Sequence, residues 1–321
     1  MNLLEGKKVL VTGGAGFIGS NIVEALLKLG SSVIVLDNLE TGRYQNLVEF
    51  ENNPLFRFFE GDIRKEEDCL KALDGVHVIS HQAALGSVPR SIEFPHNTHA
   101  VNATGFLNML HAAKEKGVKR FVYASSSSVY GDSVISPKTI GSEGNLLSPY
   151  AVTKALNEQY AAAYTRLHKM ETVGLRYFNV FGPKQDPNGV YAAAIPKFVD
   201  RMIKGEEIII HGDGEQTRDF TYVKNAVKAN LLALTSANEN TFGRTYNVAC
   251  GHFFTLNSVI HSIQNVLIEQ GRYNISTNIV YGPERNGDIR HSLADISETI
   301  KDLNYNDYWH FEQGMTEYLS N

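Results

Sequence analysis

Cysteine, tryptophan and proline are scarce in this chain of 321 residues, which holds two, one and nine of them. Cys69 and Cys250 lie far apart, which argues against a disulfide framework or a cysteine metal site and fits a reducing cytoplasm. The few prolines build no linker, and no repeat or low-complexity tract divides the chain into independent units. Eleven histidines are scattered without metal-ligand spacing and read as surface or packing residues. Excess basic charge is missing too: the net charge of -5 argues against nucleic acid as a main partner. No apolar run approaches membrane-spanning length, and no basic region followed by an apolar stretch opens the chain, so neither a membrane span nor a secretion signal is expected.

What is present is ample apolar material, 43% of the residues, enough for one compact body with two lobes. Because the global field is negative, an anionic ligand has to be drawn in by a few local cations, which directs attention to arginines in the second half.

Val9-Leu-Val-Thr-Gly-Gly-Ala-Gly-Phe-Ile-Gly19 is the most informative run. Lys8 to Thr12 is apolar and β-branched, as a buried parallel strand requires, and Phe17 to Leu29 carries apolar residues at helical spacing until Gly30. Between them, Gly13, Gly16 and Gly19 let the backbone turn tightly and approach a pyrophosphate, whose charge rests on the N-terminus of the helix. A second strand, Val33 to Leu36, ends at Asp37, about 20 residues beyond the glycines. A carboxylate there accepts both adenosine ribose hydroxyls and repels a 2′-phosphate, so NAD is expected rather than NADP.

Further strands are expected at Phe56 to Phe59, His77 to His81, Arg120 to Ser125 and Thr172 to Leu175. They alternate with helical patterns at Glu66 to Leu73, Val101 to Lys116 and Tyr150 to His168. That rhythm predicts an α/β fold with a doubly wound, Rossmann-like parallel sheet. Thr245 to Val248 and the helix Val223 to Leu234 rejoin this first lobe. The expected division is residues 1–178 plus about 220–250 for the NAD-binding lobe, and about 179–219 plus 251–321 for a smaller α/β substrate-binding lobe.

Ligands of such sheets bind beyond the carboxyl ends of the strands. Asp37, Asp62 with Ile63, Gln82-Ala83-Ala84, and Ser125 to Ser128 all fall there. Asp62 and Ile63 either hold the adenine, or Asp62 caps the helix starting near Lys65. Tyr150 and Lys154 share a helix face through their four-residue spacing. To act as a base near pH 7, a phenol must lie well below its ordinary value of about 10, a stabilisation on the order of 4 kcal/mol. The expected sources are the Lys154 ammonium and a nicotinamide cation. A hydroxyl at Ser126 would share a proton with the substrate oxygen.

Four motifs then resemble the extended short-chain dehydrogenase/reductase family over essentially the whole chain: the glycine run, Tyr123-Ala-Ser-Ser-Ser-Ser-Val-Tyr-Gly131, Ser148-Pro-Tyr-Ala-Val-Thr-Lys154 and Leu175-Arg-Tyr-Phe-Asn179. The resemblance assigns catalytic roles to Ser126, Tyr150 and Lys154. Dehydratases and uronate decarboxylases of the family carry Glu where this chain has Ser128, and the dehydratases carry Asp at Ser127. Neither carboxylate for elimination is present, and epimerisation remains.

Within the epimerases, three stretches look like the bacterial UDP-N-acetylhexosamine 4-epimerases. They are His81-Gln-Ala-Ala-Leu-Gly-Ser-Val-Pro-Arg-Ser91, Asn188-Gly-Val-Tyr-Ala-Ala and Gly287-Asp-Ile-Arg-His-Ser-Leu-Ala-Asp295. That likeness implies Asn179, Arg218 and Arg285 around the diphosphate, with surface ion pairing the alternative for the arginines. It aligns Ile209, Ile210 and His211 with the uracil stretch, although His211 also reads as an exposed strand end. Ser292 stands where galactose-specific relatives have a bulky tyrosine, leaving volume for a 2-acetamido group. Ser87 and Ala193 fall in pocket-lining stretches, where small residues also serve backbone packing.

The cofactor set on this reading is Gly13, Gly16, Phe17, Ile18, Gly19, Asp37, Asn38, Asp62, Ile63, Gln82, Ala83, Ala84, Asn102, Tyr150, Lys154 and Tyr177. Ser126, Ser127, Ser128 and Tyr150 join the substrate set, and no metal is expected. The implied reaction is reversible C4 epimerisation of UDP-GlcNAc and UDP-GalNAc through a 4-keto intermediate and tightly bound NAD. A cytoplasmic homodimer, packed through the helices near Val101 to Lys116 and Tyr150 to His168, and supply of a surface polysaccharide complete the expectation. The UDP-N-acetylglucosaminuronate or UDP-Glc/UDP-Gal 4-epimerases remain open, with Arg90 a candidate cation for a uronate, as do a net oxidoreductase and a non-catalytic NAD sensor.

Overall fold

Val9, Leu10 and Val11 are fully buried, and alternate residues of this run enter opposite cores, as a strand covered on both faces requires. The computed structural model describes residues 3–189, 192–272, 277–283 and 290–320. The chain runs β1 (Lys8–Thr12), α1 (Phe17–Lys28), β2 (Ser32–Asp37), β3 (Phe56–Glu60), α2 (Glu66–Ala72), β4 (Val78–His81), α3 (Val88–Glu93) and α4 (Pro95–His99). It continues with α5 (Phe106–Glu115), β5 (Arg120–Ser126), α6 (Pro149–His168), β6 (Glu171–Tyr177), β7 (Val180–Phe181), α7 (Ala194–Lys204), β8 (Ile208–His211) and β9 (Thr217–Arg218). The remainder is β10 (Thr221–Tyr222), α8 (Val223–Thr235), β11 (Arg244–Val248), β12 (Phe254–Thr255), α9 (Leu256–Glu269), β13 (Ile279–Gly282), α10 (Ser297–Leu303) and α11 (Phe311–Ser320).

Seven strands form one parallel sheet in the order β11-β6-β5-β4-β1-β2-β3. The chain leaves β1 toward β2 and β3, then crosses back to place β4 on the other side of β1. That reversal opens a crevice at the carboxyl ends of β1 and β4, the place where doubly wound sheets bind ligands. One face of the sheet packs on α1, α8 and the start of α10 through residues such as Ile22, Ala226 and Ile296. The other packs on α2, α5 and α6 through Cys69, Phe106 and Ala161. A third core, with Phe198, Ile210, Ile263 and Phe311, joins α7, β8, α9 and α11 beside the carboxyl end of the sheet. Ala294, Ile296, Leu303 and Tyr305 belong to the first core, so this part of the C-terminal stretch leans on the large sheet and not on the smaller lobe. Among the described residues no helix is long and apolar enough to cross a membrane.

The predicted helix from Val101 to Lys116 is more complex than its spacing suggests. Residues Ala100–Gly105 form a π-turn between α4 and α5. At Gly105 a Cβ would come within 2.7 Å of the Ile63 side chain, so this wider turn lies close against the loop after β3.

Candidate active site

Between β1 and α1 the backbone is drawn so tight that side chains are excluded. Gly13 has φ +67°, and a Cβ there would lie 2.6 Å from the Ala83 nitrogen; at Gly19 it would lie 2.1 Å from the Gly13 carbonyl oxygen. Gly16 begins α1 with no side-chain cap, which leaves the first-turn N–H groups to a ligand. At the end of β2 the Asp37 carboxylate accepts the Ala15 N–H at 3.0 Å and the Leu39 N–H at 2.8 Å. Burial pushes its pKa up, and those two N–H groups pull it back. A Cβ on Gly42 would stand 3.0 Å from both Asp37 oxygens, so the loop after β2 folds over the carboxylate. A tight glycine turn, an uncapped helix start and a carboxylate beside them fit a dinucleotide.

These groups line one cleft of about 830 Å³, which runs from Asp37 and Asp62 to Arg218 and Ser292. Its wall includes Gly13, Gly16, Phe17, Ile18, Gly19, Asn38, Ile63, Gln82, Ala83, Ala84 and Tyr177. The Asp62 side chain accepts the Arg64 N–H at 2.8 Å, Arg64 Nε and Asn38 Nδ2. Hydrogen bonds from Arg64 and Asn38 outweigh burial and hold Asp62 below its ordinary value. Helix α2 starts at Lys65 without a side-chain cap, so the capping alternative for Asp62 falls away.

Tyr177 and Gln82 are tied together inside the sheet. The Tyr177 hydroxyl donates to Gln82 Oε1 at 3.0 Å and accepts from Asn230 Nδ2 at 2.7 Å, while Gln82 Nε2 donates to Asn230 Oδ1 at 3.0 Å. Asn102 stands back from the cleft wall. Its amide is spent on the loop after β4, accepting the Leu85 N–H at 2.7 Å and donating to the Leu85 carbonyl at 3.2 Å, and it does not line the cleft. It shapes the cofactor wall from behind.

The reactive end is built by β5 and α6. Ser148 accepts the Ala151 N–H at 3.1 Å and Pro149 occupies the first turn, so α6 starts where Tyr150 can face the cleft. Ser126, at the end of β5, accepts the Ser128 N–H at 3.1 Å and lies near enough to the Tyr150 phenol to pull its pKa down. Lys154 is 3% exposed and donates to the Ala124 carbonyl at 2.8 Å, with its nitrogen 5.9 Å from the centre of the Tyr150 ring. Burial brings Lys154 down to about 8, against an opposing pull from Glu158. The expected acidification of the phenol by Lys154 is not what the protein alone provides. Burial pushes Tyr150 up and only Ser126 pulls it down, because the ammonium is directed at Ala124. His81, one strand away, is driven to about 3 by burial and by Lys154, so it is a neutral core group paired with Thr12 at 2.9 Å.

At the far end, Ser87, Ser127, Ser128, Asn179, Ala193, Arg218 and Ser292 line the same cleft. Ser87 caps α3 by accepting the Arg90 N–H at 3.1 Å. Asn179, at φ +33°, donates to the Asp219 carbonyl at 3.0 Å. The Ser292 N–H donates to the Thr217 carbonyl at 3.2 Å, which sets Ser292 against the strand carrying Arg218. Ile209 and His211 do not line the cleft among the described residues. Ile208 and Ile210 take the inward positions of β8, so Ile209 is 43% exposed and His211 lies beside the Pro283 carbonyl at 3.3 Å. Arg285 lies outside the described residues.

Sequence reasoning missed several residues. Asp219 is fully buried and accepts the N–H groups of Cys250, Gly251 and Ala294 at 3.0, 3.0 and 3.3 Å. It thereby joins three segments behind Arg218 and Ser292, and burial raises its pKa to about 7. Asp186 lines the cleft and pairs with Arg43, which clasps the loop after β2 to the segment after β7. Lys138 lines the cleft from the excursion between β5 and α6. A buried aspartate beside an expected phosphate-binding arginine was a readable signal; the other two had none.

The profile of the NAD dependent epimerase/dehydratase family matches residues 9–249. A putative UDP-glucose 4-epimerase of Methanocaldococcus jannaschii is 38% identical over 292 residues, 90% of each chain. The structure of UDP-N-acetylglucosamine 4-epimerase from Methanobrevibacter ruminantium, in complex with UDP-N-acetylmuramic acid, superposes with a TM-score of 0.91 at 38% identity over 98% of both chains. Thermus thermophilus UDP-glucose 4-epimerase in complex with NAD superposes with a TM-score of 0.85 at 33% identity, again over 98% of both chains.

Proposed function

The chain belongs to the NAD dependent epimerase/dehydratase family, and from that premise we propose that it interconverts the C4 epimers of UDP-N-acetylhexosamines. The observation that carries the reading is one cleft whose wall holds the glycine turn and, in another part, Ser126, Tyr150 and Lys154, with Lys154 fixed on the Ala124 carbonyl. NAD, the family's cofactor, supplies when bound an acceptor for the hydride of the sugar C4 and a donor that returns it.

Tyr150 removes the O4 proton as C4 is oxidised to a ketone, and delivers it again when C4 is reduced. Ser126 holds the sugar oxygen on the phenol. Lys154, fixed by the Ala124 carbonyl, keeps a positive charge one helical turn below Tyr150. Ser127 and Ser128 replace the carboxylates that would eliminate a hydroxyl or release carbon dioxide, so the ketone has no exit but reduction. Arg218 and Asn179 grip the diphosphate, with Arg285 a proposed partner in that grip. Ser87, Ala193 and Ser292 leave the sugar space to present its other face. Tight holding of UDP with loose holding of the sugar is what a net inversion at C4 demands.

The acetamido preference rests on Ser292, and the M. ruminantium neighbour's name favours the same substrate. The names of the M. jannaschii and T. thermophilus proteins favour the UDP-Glc/UDP-Gal reading instead. The proposed working form is a cytoplasmic homodimer packed through α5 and α6, feeding a surface polysaccharide.

The deciding assay incubates purified protein, with no added NAD, with UDP-GlcNAc and with UDP-Glc, and resolves products by chromatography. Conversion of UDP-GlcNAc to UDP-GalNAc, faster than that of UDP-Glc, is expected. NADH accumulating from added NAD in step with an oxidised sugar would make the protein a net oxidoreductase, and bound NAD with no turnover would make it a sensor.

A further inference from the structure

Lys138 is a cation that the catalytic scheme does not use. It lies in the excursion between β5 and α6, 4% exposed, and lines the cleft together with Ser126, Ser128, Tyr150 and Ser292. Its backbone is stitched firmly to the segment that carries Ser292. The Lys138 N–H donates to the Leu293 carbonyl at 2.7 Å, and its carbonyl accepts from the Asp295 N–H at 3.0 Å and from Asn247 Nδ2 at 2.9 Å. The side chain is thus delivered to the sugar end of the site by a rigid support.

The ammonium donates to the carbonyl of Ser133, and among the described residues no carboxylate pairs with it. Two of its three N–H donors remain for something else. Burial holds its pKa below the ordinary lysine value, with no opposing anion. In the same wall the Ser128 hydroxyl is buried and has no hydrogen-bond partner among the described residues. An ammonium without a counter-charge and, in the wall of the same cleft, a hydroxyl without a partner are two unfavourable burials, which an anionic acceptor reaching both would relieve.

Resting on the epimerase reading above, we infer that the sugar end of the cleft selects UDP-amino sugars bearing a carboxylate, with the Lys138 ammonium and the Ser128 hydroxyl as the groups that recognise it. A neutral amino sugar offers Lys138 only a hydroxyl. A carboxylate adds charge to the hydrogen bond, and one such pair discriminates by roughly ten- to a hundred-fold. Arg90, the cation that the sequence suggested for a uronate, sits on α3 and lines the same cleft, so the test has to separate the two cations.

The test is calorimetric binding to the NAD-loaded protein of three ligands: UDP-N-acetylglucosamine, UDP-N-acetylglucosaminuronate with its carboxylate at C6, and UDP-N-acetylmuramate with its carboxylate on the O3 ether. At least one acid is expected to bind ten-fold or more tightly than the neutral sugar, and which acid does so gives the position of the carboxylate. Lys138→Met is expected to abolish that preference and Lys138→Arg to retain most of it, with bound NAD absorbance reporting an intact fold. Equal Kd for all three ligands in the wild type overturns the inference without any variant. A preference that survives Lys138→Met but is lost in Arg90→Ala also overturns it. Neither result touches the epimerase reading, which falls separately if the wild type turns over none of the UDP-sugars.

Discussion

The Lys154 ammonium donates to the Ala124 carbonyl at 2.8 Å and stands 5.9 Å from the centre of the Tyr150 ring. The helical spacing of the two residues makes them neighbours, but the strand carbonyl takes the ammonium. In the protein alone burial raises the Tyr150 pKa, and Ser126 draws it back only in part. Its acidification therefore depends on what enters the cleft.

Tyr150→Phe removes the proton carrier and leaves the ring in place. kcat is expected to fall about 10²- to 10⁴-fold with bound NAD retained. Product analysis together with the NAD content of the purified variant checks this, and normal turnover would remove Tyr150 from the mechanism.

Lys154 gives stability a pH dependence of definite sign. Burial lowers it from 10.5 to about 8, so between those values the unfolded chain binds the proton more than the folded chain does. Stability from this group rises with pH across that window, and below it the full cost, on the order of 3 kcal/mol, is present. Lys154→Met is expected to gain most over wild type near neutral pH and progressively less toward the alkaline end. Urea denaturation of the cofactor-free proteins across the window measures it; a difference independent of pH would contradict the burial argument.

Gly19→Ala places a methyl 2.1 Å from the Gly13 carbonyl oxygen and 2.8 Å from Gly14 Cα, both backbone atoms that cannot swing aside. A loss of about 1–3 kcal/mol and of bound NAD is expected, read by calorimetry and by absorbance of the purified protein. Full NAD occupancy in this variant would show that the turn has slack.

Ser292→Tyr fills the space beside the strand of Arg218. kcat/KM for UDP-GlcNAc is expected to drop roughly ten- to a hundred-fold, with a far smaller change for UDP-Glc. Parallel losses on both sugars would reject the volume argument.

Local patterns made much of this molecule legible. Strand, glycine turn and helix over Lys8–Lys28 are written in consecutive residues, because the turn needs missing side chains and the strand and helix need their own periodicities. Tyr150 and Lys154 were readable because one helical turn joins them, and the parallel order of the sheet followed from alternation of strands and helices. That the Asn102 amide is turned to the Leu85 backbone was not readable, because that partner is distant in sequence.

What the sequence determined by itself is the family, the dinucleotide turn and the pairing of Tyr150 with Lys154 on one helix face, all carried by short-range spacing. The tertiary structure alone decided that Lys154 faces Ala124, that Asp219 joins three segments behind Arg218, and that Lys138 reaches the cleft beside Ser292. Those outcomes depend on which distant groups share a buried space and on what water no longer reaches, and neither quantity is encoded in the spacing of neighbours along a chain.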